Sequence, residues 1–166
     1  LSFGHLDDDA INRRPAPERW SIAECLEHLC VTAEAYFPGI DTATARAAAN
    51  NMRATGPFRY NLLSRLLESH LGTIPPKFKS KAAPIFQPVT RRTAEEIRTR
   101  FSDIQDELIG RAHRANGFDL QRVKMKSPVL SLVKLPLGMA FRTLAAHQRR
   151  HLWQAEQVLR ELSMGS

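Results

Sequence analysis

Residues 140–162 read AFRTLAAHQRRHLWQAEQVLREL, and their apolar positions return at intervals of three and four. Each residue of an α-helix advances about 100°, so residues at this spacing share one face. The shared face consists of Ala140, Leu144, His147, His151, Ala155, Val158 and Leu162. Such a stripe predicts an amphipathic helix that buries this face. Because proline suits the first turn of a helix, we expect the helix to begin near Pro136 and to run to about Leu162.

Two histidines occupy the middle of this stripe, where a core would ordinarily have leucine. His147 and His151 are four residues apart, so both imidazoles point toward the interior. A buried histidine is most often a core residue whose two nitrogens are hydrogen-bonded. Two neutral imidazoles one turn apart can also bind one cation, and burial keeps them neutral. A metal site would need a third ligand from elsewhere in the chain.

Two further helices are predicted from their capping boxes. In Trp20-Ser21-Ile22-Ala23-Glu24, the Ser21 hydroxyl can accept from the Glu24 amide while the Glu24 carboxylate accepts from the Ser21 amide. This helix should run from Ile22 to Phe37 and end at Pro38-Gly39. A second box at 93–96 starts a helix that should continue to about Ala115, ahead of Asn116-Gly117.

The segments between these helices are less regular. The lead-in at 1–19 is polar and contains one short helical turn near 6–11, and the stretch at 41–55 is alanine-rich and permits helix. A short amphipathic helix is predicted at 58–71, followed by a proline-rich, basic strap at 75–92. Residues 118–135 carry no strand pattern and are predicted to be irregular, with a turn at Ser127-Pro128.

These elements predict an all-α protein, namely a four-helix bundle with extra short helices and the proline-rich strap in the middle of the chain. The 166 residues, of which 43% are hydrophobic, suit a single domain over 1–166. Only three long helices are evident. We expect the fourth to lie upstream of residue 1, to be incomplete, or to be replaced by the segment at 58–71.

Charge and composition limit the partners. The net charge of +7 permits contact with nucleic acid, an acidic membrane surface or an anionic small molecule. The basic residues are scattered without stacking aromatics between them, which argues against a nucleic-acid partner. No apolar run approaches a membrane span, so we expect no membrane partner. Cys25 and Cys30 fall on different faces of one helix, which argues against a disulfide and favours a cytoplasmic location.

His28 is the best candidate for a third ligand. It lies two turns into the capped helix, at about 120° from the centre of its apolar line, but a helix that contacts two neighbours buries a wide arc. The other histidines, His5, His70 and His113, occupy a polar lead-in or helix ends and are assigned no site.

These residues carry a family resemblance. The stretch WSIAECLEHL at 20–29 resembles the W-S-x-x-E-x-x-x-H-L signature of the DinB-like family of helical bundles, and HQRRHLWQ at 147–154 is similar to its closing H-x-x-x-H-x-x-Q segment. The helix around Gln105 to Leu108 also resembles the third bundle helix of that family. The likeness extends from about Pro15, although the middle segment at 43–88 is longer than the family core needs.

The resemblance implies one divalent metal ion held by His28, His147 and His151. It implies zinc or nickel as the metal, a low-molecular-weight thiol as a possible co-substrate, and pairing into a homodimer. Three neutral nitrogens leave coordination positions open, as in a catalytic site. We therefore predict a metal-dependent hydrolase or a thiol-dependent transferase that acts on a small molecule. The alternative is a non-enzymatic, metal-stabilised binding or stress-response module.

The neighbours of the histidines narrow the chemistry. Position 148 is Gln148 rather than the glutamate of an H-E-x-x-H protease helix. No glutamate lies three residues before any of the three histidines, which disfavours a di-iron carboxylate site. Gln154 is one turn beyond His151 and is a candidate to orient a metal-bound water or the second nitrogen of a ligand, although a glutamine at a bundle margin is more often hydrogen-bonded to backbone or solvent. Cys25 is interpreted as a small hydrophobe, Trp20 is interpreted as a hydrophobic staple, and no residue is assigned a catalytic role.

Overall fold

A computed structural model describes residues 3–60, 66, 68–69, 72–75, 82–88, 91–129 and 132–164. Within these residues the chain is mostly helical, which confirms the predicted all-α class. The predicted helix at 58–71 lies largely outside the described residues. The proline-rich strap is described only in part, and that part contains a single 3-10 turn at Pro84–Phe86.

The N-terminal half of the chain forms a short helix and a long one. Helix α1 spans Asp8–Asn12 and begins at Asp7, whose carboxylate accepts from the Ala10 amide. Helix α2 spans Ile22–Ala49 and begins at the predicted capping box, in which both reciprocal hydrogen bonds between Ser21 and Glu24 are present. The start of α2 follows the prediction, and α1 begins two residues later than the short turn expected at 6–11. In both helices a short polar side chain satisfies an amide that the first helical turn leaves unpaired.

The predicted end of α2 at Phe37 is wrong, because the helix passes through Pro38 and continues to Ala49. An internal proline removes one backbone hydrogen bond and costs roughly 3 kcal/mol. Burial of the residues beyond Pro38 offsets that cost, since Ile40, Ala43 and Ala47 are at most 1% exposed and extend the apolar face. Gly39 is also used for packing, because a β-carbon there would meet the side chain of Met125.

Helix α3 spans Ala94–Ala115, in agreement with the prediction. Its capping box joins Thr93 and Glu96, and its buried face includes Ile97, Phe101 and Ile104. Gly117, just beyond its end, has a φ of 82°, a left-handed conformation that glycine adopts without strain.

The prediction of an irregular segment without strands at 118–135 is wrong in part. Strand β1 at Lys124–Lys126 pairs antiparallel with β2 at Lys134–Pro136, with Met125 opposite Leu135. Strands of three residues are too short for alternation to be recognised in a sequence. The position of the hairpin is set by packing instead, because Met125 is buried against the C-terminal half of α2.

Helix α4 spans Leu137–Met164. Pro136 is the last residue of β2, so the helix begins one position after the predicted start. The predicted buried stripe is largely confirmed, since Ala140, Leu144, Ala155 and Val158 are all buried.

Helix α2 lies at the centre and packs against both α3 and α4. The described residues thus provide three long helices and the short α1. None of the helices in this described part combines the length and the apolar character needed to cross a lipid bilayer.

The buried apolar residues form two clusters. One joins the first half of α2 to α3 and the end of α4, and the other joins the second half of α2 to the hairpin and the start of α4. Along α4, Leu144 belongs to the second cluster and Ala155 to the first, so His147 and His151 lie at the junction between them.

Candidate metal centre

Helix α2 positions His28 in the interior. Its side chain is 3% exposed, although its angular position by sequence is off the apolar line. The reason is that α2 contacts α3 on one side and α4 on the other, so residues 25–30 are all buried. Helix α2 therefore buries a wide arc of its surface, as expected for a helix that contacts two neighbours.

Helix α4 brings His147 and His151 to the same place. The imidazole of His28 lies 4.9 Å from that of His147 and 4.5 Å from that of His151, measured between ring centroids. The rings of His147 and His151 are 4.5 Å apart. One nitrogen from each of the three residues lies within 4.8 Å of the other two. The cluster joins a residue from α2 to a pair more than a hundred positions later in the chain.

The second nitrogen of two of these imidazoles is held by an oxygen. Nδ1 of His28 lies 2.6 Å from the carbonyl oxygen of Phe86, which can only accept, so this nitrogen carries the proton. Nδ1 of His151 donates to Oε1 of Gln154 over 3.0 Å. In both residues the proton on Nδ1 leaves the lone pair of Nε2 directed into the cluster. Such outer contacts are typical of histidines that bind metals.

The third imidazole completes the arrangement through its Nε2 atom. Nε2 of His147 lies 3.2 Å from Nε2 of His28, and because the latter has no proton, the former donates to it. Among the described residues, none forms a hydrogen bond with Nδ1 of His147, which is buried. This nitrogen can take up the proton if Nε2 gives its lone pair to an ion.

The electrostatic surroundings keep the cluster neutral. Burial lowers the pKa of His147 to about 3, with a further contribution from His28 and Arg150. Burial, together with the two neighbouring histidines, lowers the pKa of His151 to about 2. Burial also lowers the pKa of His28, although its hydrogen bond to Phe86 acts in the opposite direction. All three imidazoles are therefore neutral at pH 7, as ligands must be.

The arrangement fits a divalent metal ion. Two nitrogens at about 2.0–2.1 Å from a tetrahedral ion stand about 3.3 Å apart. The 3.2 Å separation between Nε2 of His28 and Nε2 of His147 is close to this value. Within the described residues the cluster contains these three histidines and no fourth histidine, cysteine or carboxylate. Three protein ligands are the number that leaves a position open for a further ligand.

Trp20 forms one wall of the cluster, a role that the sequence argument did not assign to it. Its ring lies 4.7 Å from that of His28 and 5.8 Å from that of His151. It also packs against the first apolar cluster, as the predicted hydrophobic staple would. One feature of the sequence could have predicted this role. Trp20 directly precedes the N-cap Ser21 and therefore lies at the same end of α2 as His28.

A buried ion network lies directly beside His28. Glu27 is 2% exposed, and its carboxylate accepts from Nε of Arg92 at 2.9 Å and from Nε of Arg100 at 3.1 Å. Arg100 also forms two hydrogen bonds with Glu34. The network ties α2 to α3 and to the segment before α3, which follows the Phe86 turn. Sequence reasoning missed it because a glutamate beside an apolar line is usually solvated.

The remaining candidates do not join the cluster. His5 and His113 are exposed, and His70 lies outside the described residues. Cys25 and Cys30 are free and buried, so the prediction of no disulfide between them is confirmed. Burial raises the pKa of both thiols, that of Cys30 to about 12, and neither is a reactive thiolate.

The fold and this cluster define a class, namely helical proteins in which three histidines from two helices can hold a metal ion. Residues 2–155 match the family model described as the DinB superfamily, and the chain therefore belongs to that family. The DinB superfamily is a metal-binding family, in agreement with the cluster. Neither the curated proteins nor the solved structures gave a match.

Proposed function

We propose that this protein binds a single divalent metal ion, zinc or nickel, through Nε2 of His28, His147 and His151. The observation that carries the proposal is the convergence of three neutral imidazoles, two of which have Nδ1 held by an oxygen. An isolated core histidine explains one such residue. It does not explain three whose nitrogens lie within 4.8 Å of one another.

We further propose that the site is catalytic and that the protein is a hydrolase or a thiol-dependent transferase acting on a small molecule. A divalent ion supplies Lewis acidity that activates water or a thiol. The protein contributes the rest: Phe86 and Gln154 fix the orientation of two ligands, and Trp20 covers one side. The lack of a fourth histidine, cysteine or carboxylate in the described cluster supports an open position.

Elemental analysis tests the metal site. The protein is purified without added metal, and its zinc and nickel contents are compared before and after the substitution His147→Ala. We expect about one ion per chain in the wild type and a large loss in the variant. His113→Ala is the matched control, because His113 is exposed in the last turn of α3 and should keep the metal. A wild-type protein without metal that cannot be loaded with zinc or nickel would overturn the proposal.

A second experiment separates an enzyme from a metal-stabilised binding module. The site is loaded with cobalt(II), whose visible spectrum reports its ligands, and cysteine is added as a low-molecular-weight thiol. An open position predicts a new sulfur-to-metal band that saturates with thiol concentration. An unchanged spectrum would indicate a closed site and would favour the non-enzymatic alternative.

A further inference from the structure

The connection between β1 and β2 exposes aliphatic side chains to solvent. Val129 is 49% exposed, Leu132 is 97% exposed and Val133 is 46% exposed. We refer to these three residues as the hairpin tip. They are not displaced core residues, because the strands on either side are paired and the backbone amide of Ser127 donates to the carbonyl of Val133. Aliphatic side chains exposed together in one connection make it a candidate contact with a partner.

The base of the hairpin is fixed to the body of the protein. Met125 of β1 is buried, and its side chain fills the space beside Gly39 of α2 that a β-carbon would otherwise occupy. The amide of Leu137, at the start of α4, donates to the carbonyl of Val123 over 2.8 Å. These contacts hold the base, so that the hairpin tip is presented at the surface.

The charges around the hairpin tip have one sign. Lys126 and Lys134 lie directly opposite one another on the two strands, and both are exposed. Like charges in this position destabilise a hairpin. Neither lysine forms an ion pair within the described part of the chain. The sequence from residue 120 to residue 155 contains no aspartate or glutamate.

We propose that the hairpin binds the surface of an anionic lipid membrane, with the hairpin tip in the acyl region and Lys126 and Lys134 among the headgroups. A membrane provides both an apolar phase and negative charge at the same boundary. Nucleic acid provides the charge but no phase for valine and leucine, and the tip has no aromatic ring to stack on bases. Peripheral contact requires no spanning segment, so this proposal replaces the expectation of no membrane partner.

Vesicle sedimentation of the full chain tests the proposal. Wild-type protein is mixed with vesicles of phosphatidylcholine and phosphatidylserine in equal parts, and with vesicles of phosphatidylcholine alone. We expect salt-sensitive binding to the first and much weaker binding to the second. Leu132→Glu should reduce binding at least tenfold, roughly the effect of one buried leucine side chain. Lys126→Gln and Lys134→Gln should each reduce it about fivefold.

The control variants use surfaces elsewhere on the molecule. Ile109→Glu adds the same charge at a residue of α3 that is 54% exposed, and it should bind vesicles like the wild type. His147→Ala should also bind, because the hairpin does not depend on the metal centre, so the two proposals can fail separately. Equal binding by wild type and Leu132→Glu, or no binding to anionic vesicles, would overturn the proposal. Self-association or DNA binding without vesicle binding would overturn it in favour of another partner.

Discussion

At the scale of single residues, the candidate metal centre depends on which nitrogen of each histidine carries a proton. A backbone carbonyl accepts from Nδ1 of His28 and an amide oxygen accepts from Nδ1 of His151, so the lone pairs of Nε2 face inward. Such contacts raise the basicity of the ligand and hold its ring in place. Gln154 is therefore expected to support metal binding through His151 without contacting the ion itself.

Gln154→Ala should weaken metal binding while leaving the fold intact. Removing an outer partner of a metal-binding histidine typically costs about 10- to 100-fold in affinity. Titration of the metal-free protein with zinc, in competition with a chelating indicator, measures the change. Gln157→Ala is the control, because Gln157 is the same residue type on α4 and its Nε2 forms no hydrogen bond within the described residues. Equal affinities for wild type and Gln154→Ala would contradict the assigned role.

The lowered pKa values of the histidines predict that the metal-free protein loses stability in acid. The unfolded chain protonates its histidines near pH 6.5, whereas His147 and His151 remain neutral in the folded chain until their pKa values of about 3 and about 2. Between these limits the unfolded state binds more protons, so the free energy of unfolding falls as the pH is lowered. Each such histidine contributes a slope of about 1.4 kcal/mol per pH unit.

Urea unfolding of the chelator-treated protein from about pH 6 down to about pH 5 measures this slope, because this range lies below the unfolded pKa of histidine. His151→Phe removes one titrating group and should make the dependence shallower than in the wild type. The comparison between the two slopes cancels the carboxylates, which titrate in both proteins. Identical slopes would show that His151 is not neutral in the folded state.

At the scale of elements, α2 shows how packing overrides a local signal. Pro38-Gly39 resembles a helix end, yet the apolar face resumes at Ile40 and is buried as far as Ala47. The helix therefore contributes to both apolar clusters.

Pro38→Ala should stabilise the protein. Pro38 is exposed, so the substitution removes no buried contact, and alanine restores a backbone donor toward the carbonyl of Glu34. The gain is limited because proline also restricts the unfolded chain, by about 0.4–1 kcal/mol. We expect a net increase of about 2 kcal/mol in the free energy of unfolding by urea. A decrease would show that the irregularity at Pro38 is needed for packing.

At the scale of the whole molecule, the three histidines connect the two longest helices. His28 is on α2, and the other two lie on α4 at the junction of the two apolar clusters. An ion bound there would join helices that pack directly against one another. Metal binding should therefore be linked to the stability of the whole fold.

Zinc should raise the urea midpoint of the wild type. A ligand present at 100 times its dissociation constant stabilises the folded state by about 2.7 kcal/mol. The effect should disappear in His147→Ala, while His113→Ala should respond like the wild type. An equal shift in wild type and His147→Ala would place the zinc elsewhere.

The helices and their faces were determined by the sequence, because capping and periodicity are local. The boxes at Ser21 and Thr93 set the starts of α2 and α3, and the stripe on α4 placed the half-buried His147 and His151 on its inward face. The family assignment followed from the two histidine motifs and is confirmed.

Only the tertiary structure decided how α2 continues past Pro38, where the hairpin forms and what surrounds the histidines. Burial of His28, the contact with Phe86 and the wall formed by Trp20 all join positions that are distant in sequence or on different elements. Such contacts depend on how helices pack, and periodicity along one helix does not contain that information. The sequence therefore identified the three histidines, and the packing of α2 against α4 brought them together.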